Sequence, residues 1–355
     1  MTYGTYRTNR NDLNFMQKFY FSVFIIVLLQ GSLSAQVAST ISSDPTTGRA
    51  QLYDLLKRVP TPRAAAMGNS FVAMKNDPNT IFSNPGALSS EIPRDSLAPG
   101  TNLSIAASAL GIGVTQGSIA FTSPAPEMLG ANSWVGVGVL YNSYGTFQGA
   151  DNIGQLTNQF SAGDFILSLA YSGVVPDKPF HYGIAVKFIS SSLAPGYGSS
   201  GLAADLGVFY ESKPLLLTIG LSATNIGKEL SYYDGVKEAL PFNLQLGVSK
   251  KLERLPLTVH LVFHNLTRDR EGRNLFYALN DFSIGGEFII AKIMRLRFGY
   301  ENQERRDLQV PEGLGLGGFS TGLGIVLKKL QFDYSLSIMG PVKADIHRFG
   351  GTYLF

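Results

Sequence analysis

The chain has 355 residues with 29 Lys and Arg against 26 Asp and Glu, and only 15% of its residues are charged, where soluble domains usually carry about a quarter. The net charge of +3 is small and the basic residues are scattered, so nucleic-acid binding has no support. The absence of cysteine excludes a disulfide scaffold, thiolate zinc sites and a cysteine nucleophile.

From Met16 the chain reads "MQKFYFSVFIIVLLQGSLSAQ". A basic residue at Lys18, an apolar run from Phe19 to Leu29 and small residues up to Ala35 predict a secretory signal peptide over residues 1–35, cut near Ala35–Gln36, with Met16 a possible initiator. The alternative is an anchor helix, but the apolar run of about 11 residues is short of the ~20 that a spanning helix needs. No later segment offers about 18 uninterrupted apolar residues, which argues against a helical inner-membrane protein.

Residues 36–100 read as a hatch. Helices are predicted over Gln51–Arg58 and Pro62–Met74, the second with Pro62 in its first turn. Asp77-Pro78 and Asn84-Pro85 then force turns, the latter continuing through Gly86. Filling the lumen of a barrel is an economical use of such a stretch; a periplasmic tail is the alternative.

Beyond Gly100 the dominant period is two. Phe242, Leu244, Leu246 and Val248 alternate with Asn243, Gln245, Gly247 and Ser249, and Phe332, Tyr334, Leu336 and Ile338 alternate with Gln331, Asp333, Ser335 and Ser337. One face of each segment is therefore apolar and the other polar or small. Fourteen such segments are predicted, near 101–110, 116–123, 133–141, 164–173, 181–190, 201–211, 215–225, 241–251, 256–265, 281–290, 294–302, 316–328, 330–338 and 347–355. Short joints alternate with long ones through most of the chain. An even number of strands of that length and that alternation predict an all-β protein: a fourteen-stranded antiparallel outer-membrane barrel with a short N-terminal helical plug. Loops would then be extracellular and both termini periplasmic.

If the apolar positions face lipid, Lys187, Asp205, Glu287, Arg297 and Asp333 face the lumen. Glu287 and Arg297 are equidistant from a tight turn, which makes them cross-strand neighbours, and Lys187 and Asp205 are symmetric about Gly196 in the same way. Mutual neutralisation is the plainer role for these pairs and a polar solute path the sharper one. Tyr171, Tyr182, Tyr210 and Tyr300 fall near strand ends, where aromatic girdles meet headgroups. The last strand places Phe349, Tyr353 and Phe355 on one face, and Tyr353 with the terminal Phe355 resembles the signal read by the outer-membrane insertion machinery.

Catalytic and cofactor motifs fail on context. "GLGLGG" is followed by a strand rather than a helix, so it does not read as a dinucleotide loop. His260 and His264 lie on a strand, roughly 13 Å apart at ~3.3 Å per residue, too far to share one metal ion. No G-x-S-x-G elbow is present. No cofactor, metal site or enzymatic activity is expected.

The stretch "RAAAMGNSFVAMKNDPNTIFSNPGAL" resembles the N-terminal hatch of FadL-like barrels, an Ala/Gly-rich segment followed by Asn-Pro-Ala; here the order is Asn84-Pro85-Gly86-Ala87. Within that superfamily, "GTFQGADNIGQLTNQFSAGDFILSLAYS", "SSLAPGYGSSGLAADLGVFY" and "ALPFNLQLGVSKKL" resemble the PorV/PorQ family of type IX secretion, nearest its PorQ-type members. That resemblance implies a non-enzymatic surface scaffold in the cargo attachment complex, with a PorZ-like surface protein and a PorU/PorV-like attachment complex as partners beside outer-membrane lipid. Candidate partner contacts are the loop residues Tyr144, Phe147, Tyr232, Tyr233, Arg268, Phe276, Arg305 and Arg306, since aromatic residues and Arg carry many protein interfaces. The competing expectation is a FadL-like channel for hydrophobic small molecules, which requires an apolar pocket above the hatch and a lateral opening of the kind made where Gly or Pro interrupts a strand.

Overall fold

A computed structural model describes residues 54–57, 59–90, 100–110, 113–130, 132–151, 153–233, 239–267, 279–307, 316–339 and 345–355. The expected signal peptide lies outside them. Fourteen strands run in sequence order: β1 Asn102–Ala109, β2 Thr115–Pro124, β3 Ser133–Ala150, β4 Leu156–Val174, β5 Phe180–Ala194, β6 Tyr197–Ser212, β7 Leu217–Ser231, β8 Asn243–Lys251, β9 Leu257–Phe263, β10 Phe282–Ile290, β11 Met294–Glu301, β12 Phe319–Leu327, β13 Leu330–Ser337 and β14 Ile346–Leu354. Each pairs antiparallel with its neighbours, and β1 closes on β14 from Asn102↔Leu354 to Ala109↔His347. Closure leaves no unpaired sheet edge, which a backbone in hydrocarbon requires.

The period of two places side chains as the alternation demands. On β5, Ile184, Val186 and Phe188 point outward and are exposed, while Ala185, Lys187 and Ile189 point inward and are buried. The same holds around the wall, giving a continuous apolar exterior that water does not tolerate and lipid does. This is an outer-membrane barrel. Tyr171 and Tyr182 approach to 6.4 Å between ring centroids, Phe180 and Tyr210 to 5.1 Å, and Tyr300 and Phe319 to 4.9 Å, in aromatic clusters near strand ends.

Strands β3 to β7 run well beyond their predicted ends, at 18, 19, 15, 16 and 15 residues. Much of the expected loops 142–163, 191–200 and 226–240 is therefore strand. The ladders continue past the apolar band, where polar and small residues replace the strict alternation that marked a strand, and local register shifts at Ser143/Gly145 and Ser192/Ala194 further disguise the pattern. The wall is tall on this side and short on the β8–β14 side.

The plug occupies the barrel's interior. Thr61 caps a helix over Pro62–Ala66, its hydroxyl accepting from the Ala64 N–H, and Pro62 supplies the preset φ of the first turn. That helix has five residues, far fewer than the predicted Pro62–Met74, because Gly68 and Asn69 take left-handed φ values of 60° and 58° and turn the chain. Likewise the first predicted helix appears as a 3-10 turn over Asp54–Lys57. Asp77 caps a 3-10 turn over Pro78–Phe82, accepting from the Asn79 N–H, and another 3-10 turn follows over Pro85–Ser90.

Plug and wall meet backbone to backbone. A Cβ at Gly299 would lie 2.6 Å from the Met67 Cα, and one at Gly207 would lie 2.7 Å from the Gly86 N. These are distances that real Cβ atoms do not show, so glycine there is a steric requirement of the docked plug. Replacing Gly207 or Gly299 by Val should therefore leave barrel assembly intact and dislodge the plug, at an overpacking cost of about 1–3 kcal/mol. The check is limited proteolysis of the purified variants beside heat-modifiable gel migration. Plug cleavage unchanged from the parent would contradict the docking described.

Candidate functional site

The site is the lumen, built from two sets of side chains: those that fasten the plug and those that line the tall wall above it. The fastening set begins with small polar residues on the inward faces of the strands. Ser222 donates to the Ser83 carbonyl at 2.6 Å, Thr218 to the Ala73 carbonyl at 2.7 Å, and Ser172 to the Gly86 carbonyl at 3.1 Å. The irregular plug has carbonyls without intrahelical partners, and the wall supplies their donors. Asn84 works in the other direction. Its amide donates to the Val72 carbonyl within the plug at 2.9 Å and to Val208 of β6 at 3.1 Å, while its side-chain oxygen accepts from Gly86. The turn Asn84-Pro85-Gly86 is thus a docking element, with Pro85 and Gly86 pressed on Gly183 and Gly207.

A charge cluster holds the other side. Glu287 and Arg297 are direct cross-strand partners, joined at 2.6 Å. Arg297 also reaches Asp333 at 2.6 Å. Arg63 from the plug lays its Nε and Nη2 on the two oxygens of Glu287, at 3.2 and 3.1 Å, and its Nη1 on Asp77 at 3.0 Å. Burial works against the Arg63 charge, but Glu287 and then Asp77 outweigh it and hold its pKa above the ordinary arginine value. Elsewhere Lys75 of the plug meets Glu211 at 2.6 Å and Asn69 donates to Glu301 at 2.8 Å.

Lys187 and Asp205 form a buried pair at 2.6 Å, but not as direct neighbours. The hairpin closes on Ala194↔Tyr197 instead of about Gly196, and the register shift at Ser192/Ala194 adds to this, so Lys187 lies opposite Ala203 and Asp205 opposite Ala185 and the contact is diagonal. Asp205 also accepts from the Asn225 N–H, and Lys187 donates to the Asn225 side-chain oxygen. Asn225 has φ 61° at an irregularity in the β6–β7 pairing, which turns its backbone N–H toward Asp205.

Three rows of inward side chains cross the tall wall. The lowest runs Gly138–Ser168–Lys187–Ala203. Above it lies an apolar row, Leu140–Ile166–Ile189, which belongs to the same hydrophobic cluster as Val59, Phe71, Ile81 and Leu88 of the plug and Leu240. Above that is a polar row, Asn142–Asp164–Ser191–Ser199. Tyr144 donates to Asp164 at 2.5 Å, Tyr233 donates to Ser191 at 2.6 Å, and Ser191 in turn bonds Asp164. The Ser168 hydroxyl and the Asn142 side-chain oxygen are buried and have no protein hydrogen-bond partner.

Of the remaining loop candidates, Phe147 is exposed and stacks on Phe160 at 5.8 Å, and Tyr232 is exposed. Arg306 pairs with Asp281, and Arg305 reaches the Tyr300 hydroxyl at 3.4 Å. Arg268 and Phe276 lie outside the described residues. Tyr353 packs edge-on against Phe355 at 4.7 Å beside the closing seam. His260 bonds Ser249 and His264 bonds Gln245 and Ser283, and no metal-holding cluster occurs among the described residues. The sequence had not singled out Arg63, Lys75 or Glu211, and had read Asp77 as a turn residue and not as an ion-pair partner. A charge in a segment destined for a lumen has to find a partner there, and that signal was available for Arg63 and Asp77.

Solved structures of similar fold include two that are described as a toluene transporter and a monoaromatic hydrocarbon channel. The toluene transporter TodX of Pseudomonas putida is 12% identical, with 86% of this chain and 99% of that one covered and a TM-score of 0.52. The monoaromatic hydrocarbon channel CymD is also 12% identical, over 84% of this chain and 98% of that one, with a TM-score of 0.53. No protein-family model and no curated protein matches the chain. At 12% identity the likeness establishes the fold.

The expectation of a type IX secretion scaffold is corrected by this result. The fold that accompanied it is shared with structures described as hydrocarbon channels, and the structural likeness favours the channel reading. The PorZ-like and PorU/PorV-like partners rested on the scaffold reading alone and are not carried forward.

The charge cluster yields a direct test. Glu287→Leu leaves Arg63 and Arg297 facing each other without their shared anion, a loss of about 3–5 kcal/mol for a broken buried pair. The expected readout is a lower temperature of the heat-modification transition and a plug more open to protease. A transition at the parent temperature would show that the cluster contributes nothing.

Proposed function

We propose that this chain is a plugged outer-membrane channel for hydrophobic small molecules, with its long hairpins outside the cell and its short turns and both termini in the periplasm. The observation that carries this reading is the apolar row Leu140–Ile166–Ile189, continuous with the apolar side chains of the plug inside the barrel. A lumen that serves water-soluble solutes is polar throughout. Here a polar mouth leads to an apolar band, and the similar structures TodX and CymD are described as a toluene transporter and a monoaromatic hydrocarbon channel.

The charges agree with a neutral solute. Lys187 is held by Asp205, and Arg297 by Glu287 and Asp333, so neither is left to bind an anionic head group. Phe71 and Ile81 of the plug and Ile166 of the wall are almost fully buried in one cluster, so plug and wall cover one another's apolar side chains. Passage therefore requires the plug to shift, and the solute takes over apolar contacts that the plug makes in the closed state. No bond is made or broken in such a step, so the role is transport and not catalysis.

The test is uptake into proteoliposomes of toluene and of a polar sugar of similar size. Severalfold faster toluene entry than into protein-free vesicles, with no gain for the sugar, is expected. Ile166→Asp and Ile189→Asp place an uncompensated charge in the band and should abolish the gain while heat-modifiable migration persists. Toluene entry equal to that of protein-free vesicles would overturn the reading.

A further inference from the structure

The short joints of the barrel are not alike in charge. Joint β8/β9 and the end of β8 carry Lys250, Lys251 and Arg254 with Glu253, joint β10/β11 and the start of β11 carry Lys292 and Arg295, and joint β12/β13 carries Lys328 and Lys329. That is seven cations against one carboxylate on three joints that follow one another around the rim. The other short joints hold Glu127, then Asp177 with Lys178, then Glu211 with Lys213, which is three carboxylates against two cations. The basic residues form an arc on the short side of the wall.

Backbone hydrogen bonds tie this arc into the sheet. Ile289 N–H donates to the Pro256 carbonyl at 2.8 Å, linking the first joint to the second, and Val326 N–H donates to the Ile293 carbonyl at 2.8 Å, linking the second to the third. The turn tips also take a conformation that lysine disfavours. Lys292 has φ 62°, following Ala291 at 49°, and Lys328 has φ 49°, all in the left-handed region where glycine or asparagine fits with less strain. Charge is present at two tips whose geometry alone would select another residue. A buried structural role does not explain it, because Lys292 and Lys328 are exposed.

Exposed apolar side chains sit among these cations: Leu255 at 53%, Ile293 at 52% and Leu327 at 51%. An acidic soluble partner would leave those residues in water or require a matching apolar face. A lipid leaflet accepts both, with the apolar side chains among acyl chains and the ammonium and guanidinium groups at the phosphates. The geometry points to a binding arc for anionic glycerophospholipid, formed by joints β8/β9, β10/β11 and β12/β13, in which Lys and Arg hold the phosphodiester headgroup. This goes beyond transport and stands independently of it, because these residues lie at the turns and strand ends of the short rim and not in the rows Leu140–Ile166–Ile189 or Asn142–Asp164–Ser191–Ser199.

The experiment is native mass spectrometry of the full chain in a neutral detergent, mixed in turn with phosphatidylglycerol, phosphatidylcholine and lipopolysaccharide. The unaltered protein should retain phosphatidylglycerol over phosphatidylcholine by roughly tenfold or more, given the attraction expected of several basic residues at an anionic surface. Combined Lys292→Gln, Arg295→Gln, Lys328→Gln and Lys329→Gln should remove that preference, whereas Lys178→Gln with Lys213→Gln on the opposite arc should keep it. High salt should weaken the preference in the unaltered protein, which tests the charge dependence even if the fourfold variant fails to assemble. Equal retention of the two phospholipids, a preference indifferent to both salt and the arc variant, or tighter retention of lipopolysaccharide than of phosphatidylglycerol would each overturn the inference.

Discussion

The contact on which the rest depends is the approach of the plug backbone to glycines of the barrel wall. At Gly207 and Gly299, and again at Gly220 against Val72, the plug and wall backbones are closer than any side chain permits, and at Gly322 the Ala66 methyl fills the same space. Several other features follow from that closeness. The inward face of the strands can be small and polar because it meets a backbone, and a backbone needs donors more than volume. Ser172, Thr218 and Ser222 supply those donors to plug carbonyls. The plug, relieved of satisfying its own carbonyls, can remain a series of turns with one five-residue helix. A more regular helical plug would present side chains all round and would not sit so near the wall.

Glycine contacts position the plug but do not orient it, since they are non-directional. Orientation comes from the charges. Arg63 engages both oxygens of Glu287 and also Asp77, so one plug side chain fixes a wall strand and a plug turn together. Arg297 then joins β11 to β10 and β13 through Glu287 and Asp333. Buried ion pairs add little net stability relative to apolar packing, because desolvation offsets the attraction. Their directional geometry is what a small-residue interface lacks, and this cluster supplies it on one side while Asn84 supplies it on the other.

The barrel was legible in the sequence because a lipid-facing wall imposes a strict period of two, and that period is visible wherever one face must be apolar. All fourteen strands lie within or across their expected segments. Legibility ended where the constraint ended. Above the lipid band of β3 to β7 nothing forces alternation, and those extensions read as loops. The Lys187–Asp205 register was misplaced for a related reason, since a bulge is a local backbone event with no reliable composition signal. Glu287 and Arg297 were readable because their hairpin is tight and regular. The plug helix was overpredicted because Ala-rich composition favours helix, whereas Gly68 and Asn69 sit where the wall requires a turn. The scaffold reading rested on the resemblance of three stretches to one family, and those stretches fold largely as wall strands β3 to β6 and β8, which a barrel of another role also needs.

The height difference around the wall bears on how an apolar solute could use this lumen. A membrane-crossing strand needs about 9–11 residues, and β3 to β7 carry 15 to 19, so their upper parts stand clear of the lipid band. The polar row Asn142–Asp164–Ser191–Ser199 lies on that upper wall, braced by Tyr144 and Tyr233, and the apolar row lies one step below it. All four residues of the polar row are buried, and Asp164 and Ser191 are bonded to each other and to the two tyrosines, so on the channel reading a solute must part this row before it meets Leu140, Ile166 and Ile189. The tall side is thus suited to guiding and the short side, with its basic arc, to holding, and the plug between them is the part left to move.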